Sequence, residues 1–237
     1  MANQIVMMAL GWHLYILTHS ALSLGYLGLV LFLPQVLLVL VVGQVADRFN
    51  RRKIILITQF LEATISLALC ASVVFGIESS RWIFAAAFCI GSVRAFQGPA
   101  LQALLPNLVG LDLLPKAIAL GSASRQFATI AGPALGGLLF LGGTTFVYAS
   151  SGLFFIIAFT QIFSIKYVEQ SRQNAPISWQ VLTAGIQFIW QRKVVLGAIS
   201  LDLFSVLLGG ATALLPIYAE QILHVGAVGL GFLRAGP

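Results

Sequence analysis

The chain is dominated by apolar runs too long for a fold that faces water. Stretches 21–46, 54–76, 82–105, 117–142, 144–165 and 194–219 are each predominantly apolar. About 20 such residues are enough for a helix to cross a bilayer. Most of the charge falls in the short turns between these runs. Only 8% of the 237 residues are charged, against 59% hydrophobic, and the mean hydropathy is +0.98. A soluble domain carries roughly a quarter charged residues. A soluble enzyme or nucleic-acid binder is therefore excluded. The formal charge of +6 does not restore the nucleic-acid reading, because the basic residues are dispersed in clusters between apolar runs. The expected fold is an all-α, polytopic transmembrane helix bundle.

The two ends read as partial spans. Segment 5–17 gives roughly 20 Å of helix, too short to cross. Segment 225–237 reads as the opening of a further helix. The first charged residue is Asp47, so the basic leader of a signal peptide is missing. The most economical expectation is an incomplete first helix, six complete helices and the start of an eighth, in a chain shortened at both ends.

Loop charge sets the expected orientation. Arg48, Arg51, Arg52 and Lys53, then Lys116, then Lys166, Arg172, Arg192 and Lys193 lie in alternate connections. The opposite set carries Arg81 alone, nine basic residues against one. The positive-inside rule places the basic set in the cytoplasm of a multi-pass inner (plasma) membrane protein. The longest interruption, 166–193, begins with a polar linker. It continues as an expected amphipathic helix over 178–190, capped by Ser178, with Trp179, Leu182, Ile186 and Ile189 at helical spacing. The chain is thus expected to divide into a transmembrane half over 1–166, a cytoplasmic linker over 167–193 and the start of a second half over 194–237. Cys70 and Cys89 lie inside apolar runs and are expected to be inert small hydrophobes, not a disulfide.

Four ionisable residues fall deep inside complete spans: Glu62, Arg94, Arg125 and Asp202. Each costs several kcal/mol, with estimates from about 2.5 upward, if it faces lipid. They are expected to line a bundle interior or a wet cavity. A carboxylate can lose and regain a proton, whereas arginine effectively cannot. Glu62 and Asp202 are therefore candidate proton carriers. Arg94 and Arg125 are candidate fixed charges that tune them or bind an anionic solute. His13 is a weaker candidate for a proton relay, and His19, Glu220 and His224 are expected near the outer surface.

Three motifs carry a resemblance. Gly43-Gln-Val-Ala-Asp47-Arg48-Phe-Asn50-Arg51-Arg52-Lys53 closes the second span. It resembles the signature loop of the major facilitator superfamily, departing at Val45 and at Asn50. Gly43 is expected to let helices approach closely. Asn50 replaces a glycine, and Asn is the next-best residue for a left-handed turn. Arg94-Ala-Phe-Gln97-Gly98 lies in the fourth span and resembles the superfamily's Arg-x-x-Gln-Gly motif. Ala131-Gly132-Pro133-Ala134-Leu135-Gly136-Gly137 in the fifth span resembles its antiporter motif. There Ser124, Ala128, Gly132 and Gly136 make a small-residue stripe suited to close packing.

The runs from Leu101, Gly132 and Leu215 are similar to one branch, the enterobactin-exporter-like permeases or transmembrane secretion effectors. That resemblance implies a major facilitator bundle: the six-helix N-terminal half with its first helix incomplete, the seventh helix and the start of the eighth. It implies a gate held by Gly43, Asp47, Arg48, Arg51 and Arg52, and a bend and packing motif at Gly132, Pro133, Gly136 and Gly137. It implies proton-coupled efflux of a siderophore or drug-like molecule, with the bilayer, a small-molecule substrate and protons as partners. No nucleotide loop, metal-ligand spacing or Ser-His-Asp set occurs in the sequence. No enzyme activity, cofactor, metal or nucleic-acid partner is expected. A shortened, non-transporting fragment of such a permease is the alternative reading.

Overall fold

A computed structural model describes residues 1–165, 190–208 and 214–236. All regular structure among them is helical. The helices are α1 (Ala2–Thr18), α2 (Ala21–Arg48), α3 (Arg51–Val74), α4 (Ser80–Leu108), α5 (Leu114–Leu139), α6 (Thr144–Ser164), α7 (Lys193–Leu208) and α8 (Gly226–Ala235). Ala21–Val39 of α2, together with α3, α4 and α6, are long and apolar enough to cross a membrane. Helix α5 is as long, at 26 residues, but Ser122, Ser124, Arg125 and Gln126 interrupt its apolar face. The chain is an all-α polytopic bundle.

The chain forms two compact units, Met1–Val168 with Ala213–Pro237, and Glu169–Thr212. Helix α7 belongs to the second. The expected amphipathic helix over 178–190 lies, apart from Trp190, outside the described residues. The expected 194–219 span is described as α7 and as the single turn Leu215–Ile217 followed by a π-helical turn, Tyr218–Ile222.

Helix boundaries follow local chemistry. Ser20 caps α2, its hydroxyl accepting from the Ser23 amide at 3.4 Å. Helix α1 ends at His19, which adopts a left-handed conformation (φ 46°) and donates its amide to the Tyr15 carbonyl at 2.7 Å. One expectation is corrected at the α2–α3 turn. Asn50 is not left-handed; its φ is −58°, and its side chain accepts from the Lys53 amide at 3.2 Å as the cap of α3. Asn serves there as a hydrogen-bond acceptor, a role glycine cannot fill. Among the described residues Gly43 makes no close approach, since a Cβ there would meet nothing within 4 Å.

Helix α1 runs through the middle of the first unit. It packs against α2, α4, α5 and α6, and every residue from Met8 to Tyr15 is buried. A helix apolar on all sides belongs in such a position. Ile5, Val6, Ala9, Leu10 and Leu14 form one core with Leu27 of α2, Ala63 and Leu69 of α3, Ile83, Ala87 and Ile90 of α4, and Val147, Tyr148 and Phe155 of α6. Helix α3 lies against both α4 and α6. Helices α2 and α4 cross closely at Gly91, where any Cβ would collide with the Leu31 carbonyl.

Candidate functional site

Glu62 sits mid-helix in α3 with 1% of its surface exposed. Its Oε2 accepts a hydrogen bond from Gln97 Nε2 of α4 at 3.1 Å. Gln97 Oε1 in turn accepts from Asn3 Nδ2 of α1 at 3.4 Å. One polar chain therefore ties three helices together. Glu62 Oε1 and Asn3 Oδ1 are buried and meet no hydrogen-bond partner among the described residues. The same holds for Gln59 Oε1, one turn before Glu62 on the same helix face. A buried carboxylate left half-satisfied is costly. Protonation removes the charge and gives the group a donor of its own. Arg94, half-buried one turn before Gln97, is near enough for its charge to act on Glu62.

The other two intramembrane charges do not join this cluster among the described contacts. Arg125 is exposed on α5, accepting at its carbonyl from Thr129 Oγ1 at 3.0 Å. Asp202 lies in α7, in the other unit, and its side chain is outside the described residues.

A second polar cluster closes the opposite end of α1. His13 is 3% exposed. Its Nε2 lies 2.9 Å from Glu78 Oε2, in the α3–α4 turn, and its Nδ1 lies 3.1 Å from the Tyr148 hydroxyl of α6. Tyr148 is fully buried, while the Glu78 side chain is 36% exposed. Glu220 and His224 are exposed.

At the basic end, two arginines fasten helices to one another. Arg51 is buried and its Nη1 donates to the Ala103 carbonyl of α4. Arg52 donates through Nε to the Ile162 carbonyl at 3.1 Å and through Nη2 to that of Phe163, both near the end of α6. The Ile162 carbonyl also accepts the Ile165 amide at 3.3 Å, and a cation beside the last carbonyls of a helix meets the negative end of its dipole. The Arg52 guanidinium also lies 5.8 Å from the Phe163 ring centre. Arg48, the last residue of α2, is exposed, and Asp47 before it has its side chain outside the described residues.

Gly132, Pro133, Gly136 and Gly137 are all buried. Helix α1 packs on the first and third of these, with Gln4 against Gly132 and Ile5 and Met8 against Gly136. Helix α8 packs on Gly137. The other half of the small-residue stripe is bare, for Ser124 is exposed and Ala128 only half-buried.

Most hydroxyls inside the helices are silent. Those of Thr58, Ser66, Ser72, Ser92 and Ser151 each donate to a carbonyl of their own helix. Such bonds satisfy a polar group locally and mark no site. A groove of about 380 Å³ between α3 and α4, lined by Leu69, Phe75, Trp82 and Cys89 among others, contains no ionisable side chain other than that cysteine. Cys70 and Cys89 are both free thiols.

Sequence reasoning placed Glu62 and Arg94 but assigned nothing to Asn3, Gln59, Glu78 or Tyr148. Gln97 was visible only as a motif position. The spacing of Gln59 and Glu62 on one helix face is the sequence signal for Gln59.

The sequence is similar to bacterial exporters. It is 27% identical over 222 residues to the enterobactin exporter EntS of Escherichia coli O127:H6, covering 93% of this chain and 53% of that protein. It is 27% identical over 221 residues to the enterobactin exporter EntS of Shigella boydii, covering 92% and 53%. It is 26% identical to that of Shigella dysenteriae over the same shares. The chain spans about half the length of the curated relatives it matches. The family model for transmembrane secretion effectors matches residues 3–236, and with the helical bundle and its polar interior this establishes that the chain belongs to the transmembrane secretion effector family.

Proposed function

We propose that the protein is a secondary active transporter that exports a siderophore or drug-like small molecule across the bacterial inner membrane in exchange for protons. The observation that carries this reading is Glu62, a carboxyl buried among three helices with one oxygen bonded to Gln97 and the other unpartnered among the described residues. Buried acids in membrane helices are costly and typically belong to an ion or solute path. Glu62 is read as the proton carrier and Arg94 as the fixed charge that tunes it. Arg125 is read as a further fixed charge and Asp202 as a further candidate proton carrier, and transport is read as the rocking of two transmembrane halves around the solute. The basic α2–α3 turn and the 167–193 linker face the cytoplasm, and the Glu78 end faces outward. Asp47, Arg48, Arg51 and Arg52 belong to the inner gate. The names of the relatives supply the siderophore class, and the antiporter-like motif of α5 supports export.

The test is secretion by cells that lack their own siderophore exporter and express the protein. A panel of siderophores and dyes is followed in the medium, with and without a protonophore. Export above that of control cells is expected for at least one compound, with loss on adding the protonophore and in Glu62→Gln and Arg94→Gln. Export indifferent to the protonophore rejects proton coupling. Unchanged export in Arg94→Gln rejects its role, and no export of any compound rejects the transporter reading.

A further inference from the structure

We propose that His13, Glu78 and Tyr148 form a second proton-binding site, at the end of the bundle opposite the basic turn, that exchanges protons with the outer water through Glu78. The arrangement is a short chain with one wet end and one dry end. Glu78 is partly exposed, His13 is buried, and Tyr148 is fully buried. Both imidazole nitrogens are engaged, Nε2 with the carboxylate and Nδ1 with the phenol.

This set of partners fits both charge states of the ring. With the imidazole doubly protonated, Nε2–H donates to Glu78 and Nδ1–H donates to the Tyr148 oxygen. With one proton removed, Nε2–H still donates to Glu78, and Nδ1 accepts from the Tyr148 hydroxyl. The hydroxyl proton swings from one side of its oxygen to the other, and no polar atom of the ring is stranded in either state. A static structural bond needs no such reversible partner. Histidine is also the side chain whose charge ordinarily changes between about pH 5 and 8.

The surroundings add no competing bond. Helix α6 offers Tyr148 and the α3–α4 turn offers Glu78. Tyr15, also on α1, is buried, with a hydroxyl that meets no partner among the described residues. His19 just after α1, Tyr26 on α2, Arg81 on α4 and Glu220 in the π-helical turn are exposed, and the half of α5 beyond Arg125 has no ionisable side chain. Three segments meet at His13, so its charge state bears on how α1 is held against α6 and the α3–α4 turn. The site's part in transport rests on the proton-driven reading above; its existence does not.

The site is tested first without transport. In protein labelled with ¹⁵N-histidine and carrying His19→Gln and His224→Gln, His13 is the one histidine left in this chain. Its two ring nitrogens should pass from a doubly to a singly protonated pattern within about pH 5–8. Glu78→Gln should displace that midpoint by about one pH unit. A ring that keeps one pattern across the range overturns the proposal, and so does a midpoint indifferent to Glu78→Gln. The transport arm compares export at external pH 5.5 and 7.5, where a wild-type dependence of about threefold should fall below about 1.5-fold in His13→Gln. A dependence that survives in His13→Gln removes the site from transport. Export insensitive to protonophore defeats the proton-driven reading but leaves the spectroscopic result to decide the site.

Discussion

Gly137 of α5 and Gly231 of α8 face each other so closely that a Cβ on Gly137 would fall 3.1 Å from the Gly231 Cα and 2.8 Å from the Ala227 carbonyl. A Cβ on Gly231 would fall 2.6 Å from the Pro133 carbonyl. Every one of these atoms is backbone, so no rotamer change can make room. The smooth patch on α5 is thus used for backbone-to-backbone packing by a helix more than 80 positions further along the chain.

Gly137→Val and Gly231→Val should each force α5 and α8 apart, costing about 1–3 kcal/mol as overpacking does. Thermal unfolding of detergent-purified protein measures this. Gly121→Ala, on an exposed part of α5 where a Cβ meets nothing within 4 Å, should leave the midpoint unchanged or raise it. Equal losses in all three would remove the close approach as the cause.

Glu62 and Gln97 should behave as a coupled pair. Gln97→Ala withdraws the 3.1 Å donor to Glu62 Oε2, which should cost about 1–3 kcal/mol for a buried acceptor left without that partner. Glu62→Gln keeps the shape and can still bond position 97, so it should fold. The double variant should cost less than the sum of Gln97→Ala and Glu62→Ala, by about 0.5–3 kcal/mol. Additive losses would mean that the 3.1 Å contact carries no energy of its own.

The sequence made the spans and the charged positions legible because both are local signals. An acid in an apolar run, as at Glu62, is conspicuous whatever surrounds it. Its partners are not. Gln97 stands 35 positions away and Asn3 still further, and helical periodicity says nothing about which faces of separate helices meet. Nothing in the sequence singles out Glu78, because an acid in a loop is ordinary until a buried histidine 65 positions earlier closes on it. At Asn50 the residue type was read correctly as a turn former, but two chemistries suit that position, a left-handed backbone and a capping side chain. Only the backbone angles separate them. Arg125 shows the converse, since depth along a helix is visible in the sequence and the direction around it is not.

The arginines of the basic turn should separate by what they hold. Arg51→Ala removes a buried guanidinium that donates to α4, and should cost about 1.5–3 kcal/mol, the range for a charged hydrogen bond. Arg52→Ala loses two bonds to the last carbonyls of α6 and the contact with Phe163. Arg52→Lys should recover only part of this, because an ammonium does not reproduce the forked reach of the guanidinium. Arg48→Ala, exposed at the end of α2, should change stability by less than about 0.5 kcal/mol. The same unfolding measurement ranks them, and an Arg48 effect as large as that of Arg51 would contradict the assignment of roles.

Orientation follows from the same turn. If the basic end faces the cytoplasm, Phe49 lies inside the cell and Ile77 outside; both are well exposed, at 63% and 58%. Each can therefore carry a cysteine without disturbing the packing, once Cys70 and Cys89 are replaced by alanine. Cys70 is half-buried against the core and makes one weak hydrogen bond, to the Thr145 carbonyl at 3.5 Å, and Cys89 is exposed and free, so that background should fold. In intact spheroplasts a membrane-impermeant maleimide should label Ile77→Cys and spare Phe49→Cys, and after permeabilisation it should label both. The reverse pattern would place Glu78 and His13 on the cytoplasmic side. The second protonation site would then sense the internal pH, and the nine-to-one bias of basic residues would have misled the reading of this chain.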